Sequence, residues 1–359
     1  MDIAHSGLHE DALRGTVCVC TGAGNGGIGY GILEVAALRY GMHIACLDLH
    51  VAVVDESARR LRAAVPYGIE VLSVQCDVTR PEDLASAVTT ISEAFPRCRI
   101  GALFANAGVL FPSAGVLRSN AEDWSSMFEV NVVGALRTIQ AFAPLLKKSP
   151  LPSVICTTAS IGGLARAQPD LVAYCSTKHA LVVMTEALSF ELARRYPQIR
   201  VSVCCPCIVA TGLFSSSVAN RAAAVSGDTV RAPVDLGKAP QADSISTFVT
   251  EFAMTPIRHA EQTWDRIHAG EFYLICDNIR PYVDHDFPLD GAGLVAQRFA
   301  PLLRQDFERR IDNSGAFIGK NPTPTDDQPM NRELRRRFSE RKREVEEARK
   351  RRKGVRAKL

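Results

Sequence analysis

The chain has 359 residues, of which 47% are hydrophobic and 23% are charged, the balance of an ordinary globular protein. A chain of this length can form a core without disulfides or a structural metal, and its eleven irregularly spaced cysteines argue against a secreted disulfide framework. The formal net charge is +3, but residues 331–359 carry fourteen basic and five acidic side chains, which leaves residues 1–330 mildly acidic.

Apolar, β-branched runs alternate with helical patterns along most of the chain. The runs predict strands at 16–22, 43–49, 70–78, 100–108, 153–160, 200–206 and 270–276. The helical patterns lie at 31–41, 53–66, 81–95, 121–147 and 172–195. Strands that are continuously apolar are buried on both faces, and short strand–helix alternation gives right-handed crossovers. The pattern therefore predicts an α/β fold: a Rossmann-type, doubly wound parallel sheet in a single domain, with a charged C-terminal extension.

A glycine-rich segment, TGAGNGGIG at 21–29, follows the first predicted strand. In a doubly wound sheet, ligands bind beyond the carboxyl ends of the strands. Glycines there let backbone amides approach a pyrophosphate at the start of the next helix, which favours negative charge. We therefore assign Gly22, Gly27, Ile28 and Gly29 to a dinucleotide site. A flexible turn without a ligand is the alternative.

Polar and small residues follow the next three strands. Asp48 follows the second strand, where a carboxylate accepts hydrogen bonds from both ribose hydroxyls and repels a 2′-phosphate. This position favours NAD over NADP. The alternative is that Asp48 is a surface acid near a loop with no ligand. Asp77, with Val78, is placed to contact adenine. The last assignment is a segment whose small residues would let the cofactor lie against the backbone: Asn106, Ala107 and Gly108.

Three residues after the fifth strand suggest acid–base chemistry. Ser160 is followed fourteen residues later by Tyr174, and Lys178 comes four residues after that. Positions i and i+4 share one face of a helix. A free tyrosine is a poor acid–base group at neutral pH, but a neighbouring ammonium favours the phenolate and lowers its pKa. Such a pair suits proton exchange with an alcohol, although the same spacing also occurs by chance on exposed helices.

Together these elements resemble the classical short-chain dehydrogenase/reductase superfamily, because they occur in its order and at its spacing. The resemblance implies that Tyr174 is the general acid–base residue, that Lys178 binds the nicotinamide ribose, and that Ser160 orients the reacting oxygen. It further implies that Asn131, in EVNVVGA, holds a water that links Lys178 to bulk solvent, and that Thr211, in PCIVAT, contacts the nicotinamide carboxamide. Asn131 could instead satisfy backbone groups within its helix.

The implied function is hydride transfer between NAD(H) and a secondary alcohol or ketone, in a homodimer or homotetramer. An NADPH-dependent carbonyl reductase and a non-catalytic NAD-binding regulatory or scaffold protein are the alternatives. Two departures from the family pattern stand out: one additional residue between Gly22 and Gly27, which predicts a bulge, and Cys207 where glycine is usual. No metal is expected, because no second Cys/His pair lies near Cys204, Cys205 and Cys207 in sequence.

The segment after the sixth strand, 211–240, is expected to form part of the substrate pocket. A lipophilic substrate is predicted from five apolar residues: Ile161, Leu164, Leu213, Phe214 and Val218. No transmembrane segment is expected, because the two longest uncharged stretches contain Gly, Pro, Asn or Ser.

Four regions are predicted: an N-terminal arm at 1–11, the NAD-binding catalytic domain at 12–285, an irregular linker at 286–330 and a basic helical tail at 331–359. Nucleic-acid binding by the tail is disfavoured, because no aromatic residues are interleaved for base stacking. The final Ala357-Lys358-Leu359 resembles the Ser-Lys-Leu peroxisomal address, so a peroxisomal or cytoplasmic location is expected.

Overall fold

A computed structural model of the protein describes residues 10–24, 26–111, 115–164, 171–213, 217 and 253–275. All of the predicted catalytic and cofactor-binding residues lie within these ranges, whereas most of the predicted substrate segment at 211–240 lies outside them. The predicted linker at 286–330, the basic tail at 331–359 and most of the arm at 1–11 lie outside them, as does the terminal tripeptide.

Seven parallel strands form one sheet in the described part of the chain. They are β1 (Val17–Thr21), β2 (His43–Asp48), β3 (Val71–Gln75), β4 (Ile100–Ala105), β5 (Ser153–Thr158), β6 (Ile199–Cys204) and β7 (Tyr273–Leu274). Their order is β3-β2-β1-β4-β5-β6-β7, which confirms the predicted doubly wound sheet. The chain order reverses between β1 and β4, and the crevice beyond their carboxyl ends is the place where such folds bind ligands.

Helices cover both faces of the sheet. Those described are α1 (Ile28–Tyr40), α2 (Val51–Ala64), α3 (Pro81–Ala94), α4 (Ala121–Phe128), α5 (Ala135–Lys147), α6 (Val172–Arg195) and α7 (Pro256–His268). The predicted helix 121–147 is divided by a π-helical segment, Glu129–Gly134. None of the helices in the described ranges combines the length and the apolar character needed to cross a bilayer.

Helix α7 was missed by the sequence analysis, although its start carries clear signals. Thr255 accepts a hydrogen bond from the Arg258 amide at its N-terminus, and Pro256 occupies the first turn. Its buried face includes His259 and Thr263, and these polar side chains hide the apolar periodicity that would otherwise reveal the helix.

The core on one side of the sheet is built around Trp264 of α7. Its ring centroid lies 4.7 Å from that of Tyr40 and 5.2 Å from that of Phe104, and its indole N–H donates to the Ile32 carbonyl at 3.0 Å. Helices α1 and α7 cross closely at Gly31, which has no side chain. A Cβ at this position would lie 2.5 Å from a backbone oxygen of α7. This packing fixes the first turn of α1, and therefore the end of the glycine-rich segment.

Candidate active site

The glycine-rich turn connects β1 to α1 and leaves no room for side chains at its two ends. A Cβ on Gly22 would lie 2.8 Å from the Ala107 Cα, and one on Gly29 would lie 2.6 Å from the Gly22 carbonyl oxygen. Gly22 has a φ of 66°, which favours glycine. Gly27, the N-cap of α1, is looser: a Cβ there would first meet the Thr211 side chain, at 3.8 Å.

Asp48 joins the end of β2 to this turn. Its Oδ2 accepts a hydrogen bond from the Gly24 amide at 2.8 Å, and a Cβ on Gly24 would lie 2.8 Å from the same oxygen. Burial raises the pKa of the half-buried carboxyl, while the hydrogen bonds from Gly24 and His50 lower it. The structure therefore places the predicted ribose-binding carboxylate directly against the turn.

Asn106 fastens the end of β4 to the end of β1. Its Nδ2 donates to the carbonyl oxygens of Thr21 and Gly22, both at 3.0 Å. In return, the Thr21 hydroxyl accepts from the amides of Asn106 at 3.1 Å and Ala107 at 3.2 Å. The side chain of Asn106 thus holds the two strand ends together, and the small residues after it leave the backbone accessible to a ligand.

Asp77 and Val78, the two residues assigned to the adenine side, also support local structure. Asp77 Oδ1 accepts from the Thr79 amide at 2.8 Å and from the Thr79 hydroxyl at 2.7 Å. Val78 is buried, and its Cγ2 would lie 2.7 Å from a Cβ on Gly134 of the π-helical segment. This contact brings the residues after β3 against the segment that carries Asn131.

Ser160, Tyr174 and Lys178 meet at the carboxyl ends of β5 and β6. The Ser160 side chain faces Tyr174 and lowers its pKa by hydrogen bonding, and the Ser160 Oγ accepts from the Gly162 amide at 3.1 Å. The Lys178 Nζ lies 5.5 Å from the centroid of the Tyr174 ring and donates to the Thr158 carbonyl oxygen at 2.8 Å. The three predicted catalytic side chains are therefore brought together by the fold.

Burial governs the proton affinity of this pair. Tyr174 is 9% exposed, and burial raises its pKa to about 12 although the hydrogen bond with Ser160 lowers it in part. Lys178 is 3% exposed, and burial lowers its pKa to about 8, against the opposing effects of Cys205 and Cys204. The sequence led us to expect that the ammonium would lower the tyrosine pKa; in the folded chain the loss of hydration raises it instead.

Asn131 is buried at the centre of the π-helical segment, where its side chain binds a neighbouring loop. Its Oδ1 accepts from the Val109 amide at 2.7 Å, and its Nδ2 donates to the Val109 carbonyl at 2.9 Å and to the Thr177 hydroxyl at 3.0 Å. A Cβ on Gly108 would lie 3.2 Å from Asn131 Oδ1 and 3.4 Å from Lys178 Nζ. Asn131 therefore holds the segment next to Lys178, and π-bulges of this kind are frequent at functional sites.

An apolar cluster beside Tyr174 was not anticipated from the sequence. Phe111 and Met127 are buried and pack with Tyr174, and the partly buried Trp124 joins them. The apolar run that follows Gly108 was the sequence signal from which this cluster could have been predicted. Of the predicted pocket residues, Ile161 and Leu164 lie at the ends of a short 3₁₀ turn after Ser160. Leu213 is close to Thr211, whereas Phe214 and Val218 lie outside the described residues.

A family model with the description short chain dehydrogenase matches residues 16–222, which is more than half of the chain. The chain belongs to the short-chain dehydrogenase family. This is a family of oxidoreductases, and its fold binds a nicotinamide cofactor.

Similar proteins cover most of the described fold. The 2-(S)-hydroxypropyl-CoM dehydrogenase 3 of Xanthobacter autotrophicus is 30% identical over 206 residues, 57% of this chain and 76% of the relative. The estradiol 17-beta-dehydrogenase 11 of Rattus norvegicus is 30% identical over 212 residues, 59% of this chain and 68% of the relative. A short-chain dehydrogenase/reductase of Burkholderia phymatum, solved in complex with NAD, is 28% identical with a TM-score of 0.65, covering 76% of this chain and 92% of that one.

None of the ten described cysteines of this short-chain dehydrogenase forms a disulfide. The Cys204 Sγ lies 3.4 Å from the His259 Nε2 and 3.6 Å from the Thr263 Oγ1, and all three side chains are buried. The fold thus brings a histidine to the cysteine-rich end of β6 from a helix that the sequence analysis missed. Within the described ranges, no three His, Cys, Asp or Glu side chains are grouped as a metal site requires.

Proposed function

We propose that this short-chain dehydrogenase transfers a hydride between NAD(H) and a secondary alcohol or ketone, with Tyr174 as the general acid–base residue. The observation that carries the proposal is the buried contact of Tyr174 with Ser160 and Lys178 at the carboxyl edge of the sheet. That edge also carries the glycine-rich turn and Asp48. A nucleotide site and an acid–base group are therefore adjacent, as transfer between a cofactor and a bound alcohol requires.

The described residues fit a nicotinamide dinucleotide. The absence of side chains at Gly22 and Gly29 lets the backbone of the turn approach a pyrophosphate, and the amino end of α1 favours its charge. Asp48 faces the turn as a ribose acceptor, and its negative charge supports NAD over NADP. Thr211 lies beside Gly27, on the side expected for the nicotinamide. When bound, the cofactor supplies or accepts the hydride.

The catalytic side chains divide the remaining work. The hydroxyls of Ser160 and Tyr174 bind and orient the substrate oxygen. The Tyr174 hydroxyl donates its proton when a ketone is reduced, and the Tyr174 phenolate accepts the hydroxyl proton when an alcohol is oxidised. Because burial holds the tyrosine pKa at about 12, the phenolate is scarce at neutral pH in the free chain. A positive charge beside the ring is therefore required, and protonated Lys178 is positioned to provide it.

The apolar cluster beside Tyr174 supports a lipophilic substrate. Phe111, Met127 and Trp124 would face the substrate, and these side chains offer it few hydrogen bonds. Two relatives are named as dehydrogenases of 2-(S)-hydroxypropyl-CoM and of estradiol, both of which are alcohols. The estradiol name and the cluster together favour a secondary alcohol with an extended apolar group.

The proposal is tested by following NADH formation with a panel of secondary alcohols that includes steroids, hydroxy fatty acids and polyols. We expect turnover with an apolar alcohol, and a higher kcat/KM with NAD than with NADP. Preference for small polyols would contradict the lipophilic substrate, and faster turnover with NADP would identify the alternative NADPH-dependent reductase. A chain that binds NAD but oxidises none of the panel would contradict the catalytic proposal.

A further inference from the structure

The additional residue of the glycine-rich turn is accommodated beside an arginine from α2. Gly26 adopts a φ of 61°, in the left-handed region that favours glycine. A Cβ at this position would lie 3.2 Å from Nη1 of Arg60, 3.9 Å from its Nη2 and 4.0 Å from its Cζ. The guanidinium therefore lies against the backbone of Gly26 and takes the space that a side chain would need.

The same guanidinium is held by the ring of Tyr30, in the first turn of α1. The Arg60 Cζ lies 4.7 Å from the ring centroid, which is the geometry of a cation–π contact. Tyr30 itself is buried, so the ring is a fixed platform. Arg60 thus bridges the tip of the turn and the start of α1, the two parts of the backbone that the proposed function assigns to the pyrophosphate.

The positive charge of Arg60 is only partly balanced by its neighbours. Glu34, one helical turn beyond Tyr30, is half-buried, and burial raises its pKa while Arg60 lowers it. Glu56 pairs with Arg59 at 2.7 Å, and Arg60 adds a smaller contribution to the lowered pKa of the Glu56 carboxyl. In the described part of the chain, no ion pair within 4.0 Å includes Arg60. The charge therefore remains available to an anion at the turn.

We propose that Arg60 is a positioning residue of the dinucleotide site: stacked on Tyr30, it packs against Gly26, fixes the enlarged turn and places a positive charge beside the cofactor phosphates. This inference rests on the proposed function, because it assumes that the turn holds a dinucleotide. It agrees with the glycine at position 26, where the left-handed backbone disfavours a side chain and the guanidinium packs closely against the backbone.

The test compares three variants, Arg60→Met, Arg60→Lys and Arg59→Met, by the fluorescence of bound NADH. Met keeps the length of the arginine stem but removes the charge and the planar group, so Kd for NADH should rise about tenfold with Arg60→Met. The rise should be smaller with Arg60→Lys, which keeps the charge and loses the stack. Arg59→Met is the matched control, because Arg59 is an exposed neighbour that pairs with Glu56, and it should leave Kd unchanged.

Two further readings separate positioning from a general loss of structure. The dependence of Kd on salt should be weaker with Arg60→Met than with Arg60→Lys, because only the first removes a charge. With a substrate that is turned over, Arg60→Met should raise KM for NAD and leave kcat within about twofold, since the group lies far from the reacting carbon. Equal melting temperatures for the two Met variants would show that the fold is intact.

The outcomes distinguish this inference from the proposed function. If Arg60→Met binds NADH as tightly as the wild type, with the same salt dependence, the positioning role of Arg60 is refuted. If the wild type binds NADH and Arg60→Met weakens it, but no alcohol is oxidised, the inference stands and the catalytic proposal fails. If the wild type does not bind NADH, both are refuted.

Discussion

His259 should make the fold sensitive to mild acid. It is fully buried beneath the site, 3.4 Å from the Cys204 Sγ and 3.4 Å from the Thr263 hydroxyl. Burial lowers its pKa from 6.5 to about 4, so the native chain keeps this imidazole neutral at pH values where an unfolded chain protonates it. Acid therefore favours the unfolded state through this residue.

The size and the pH range follow from the two pKa values. The contribution of neutral His259 is fully present above the unfolded pKa of 6.5 and is lost progressively as pH falls towards the folded value of about 4. A difference of about 2.5 units at about 1.36 kcal/mol per unit gives a maximum loss of about 3 kcal/mol. Most of it, about 2 kcal/mol, is already lost at about pH 5.

The measurement is the free energy of unfolding by urea for the wild type and for His259→Gln, at a series of pH values from 8 to 5. Carboxyl groups also titrate in this range, but they are common to both proteins, so the difference between the two curves isolates His259. The wild type should lose about 2 kcal/mol more than the variant between pH 8 and 5. Parallel curves would refute the reasoning, because they would mean that the imidazole is protonated in the native state or that water reaches it.

Three further predictions concern the site and its support. Replacing Tyr174 by Phe should reduce turnover at least about 100-fold while NADH still binds, because the ring remains and the proton donor is removed; near-normal turnover would exclude Tyr174 as the acid–base residue. Asp48→Asn keeps an acceptor but removes the charge that opposes a 2′-phosphate, so the affinity for NADP relative to NAD should rise about tenfold; an unchanged ratio would show that Asp48 does not select the cofactor. Gly31→Ala would place a Cβ 2.5 Å from the Pro256 carbonyl oxygen, so thermal melting should show about 1–3 kcal/mol of destabilisation. Leu38→Ala, at an exposed position of the same helix, is the control, and equal stability of the two variants would mean that the helices separate easily.

The sequence was sufficient for features that depend on local pattern. Helix α6 begins and ends where its pattern predicted, at 172 and 195; β5 lies within its predicted run, and β6 begins one residue before its own. The positions of Ser160, Tyr174 and Lys178 followed from spacing on a strand end and one helix face. Such features can be predicted because a continuous apolar run indicates a buried strand, and positions i and i+4 share a helix face, whatever the rest of the chain does.

Features that depend on distant partners were not readable. The Asn131 amide in the π-helical turn hydrogen-bonds to Val109 and to Thr177, and neither partner is a sequence neighbour. The pKa of Tyr174 rises because Phe111 and Met127 bury it from two other segments. Burial by distant residues exists only after the chain has folded. Residue types and spacing alone therefore predicted a lowered pKa for Tyr174, the opposite direction.

The contact of the Trp264 indole with Ile32 spans 232 positions of the chain. During synthesis, at about 5–20 residues per second, α1 would leave the ribosome about 10–50 s before α7. For that interval the surface of α1 that will receive Trp264, including Ile32 and Tyr40, has no α7 to cover it. The amino-terminal half is therefore expected to remain a client of chaperones until α7 has been made. Substitutions in α7 would then lower the amount of protein recovered from cells more than they alter the melting temperature of the molecules that fold.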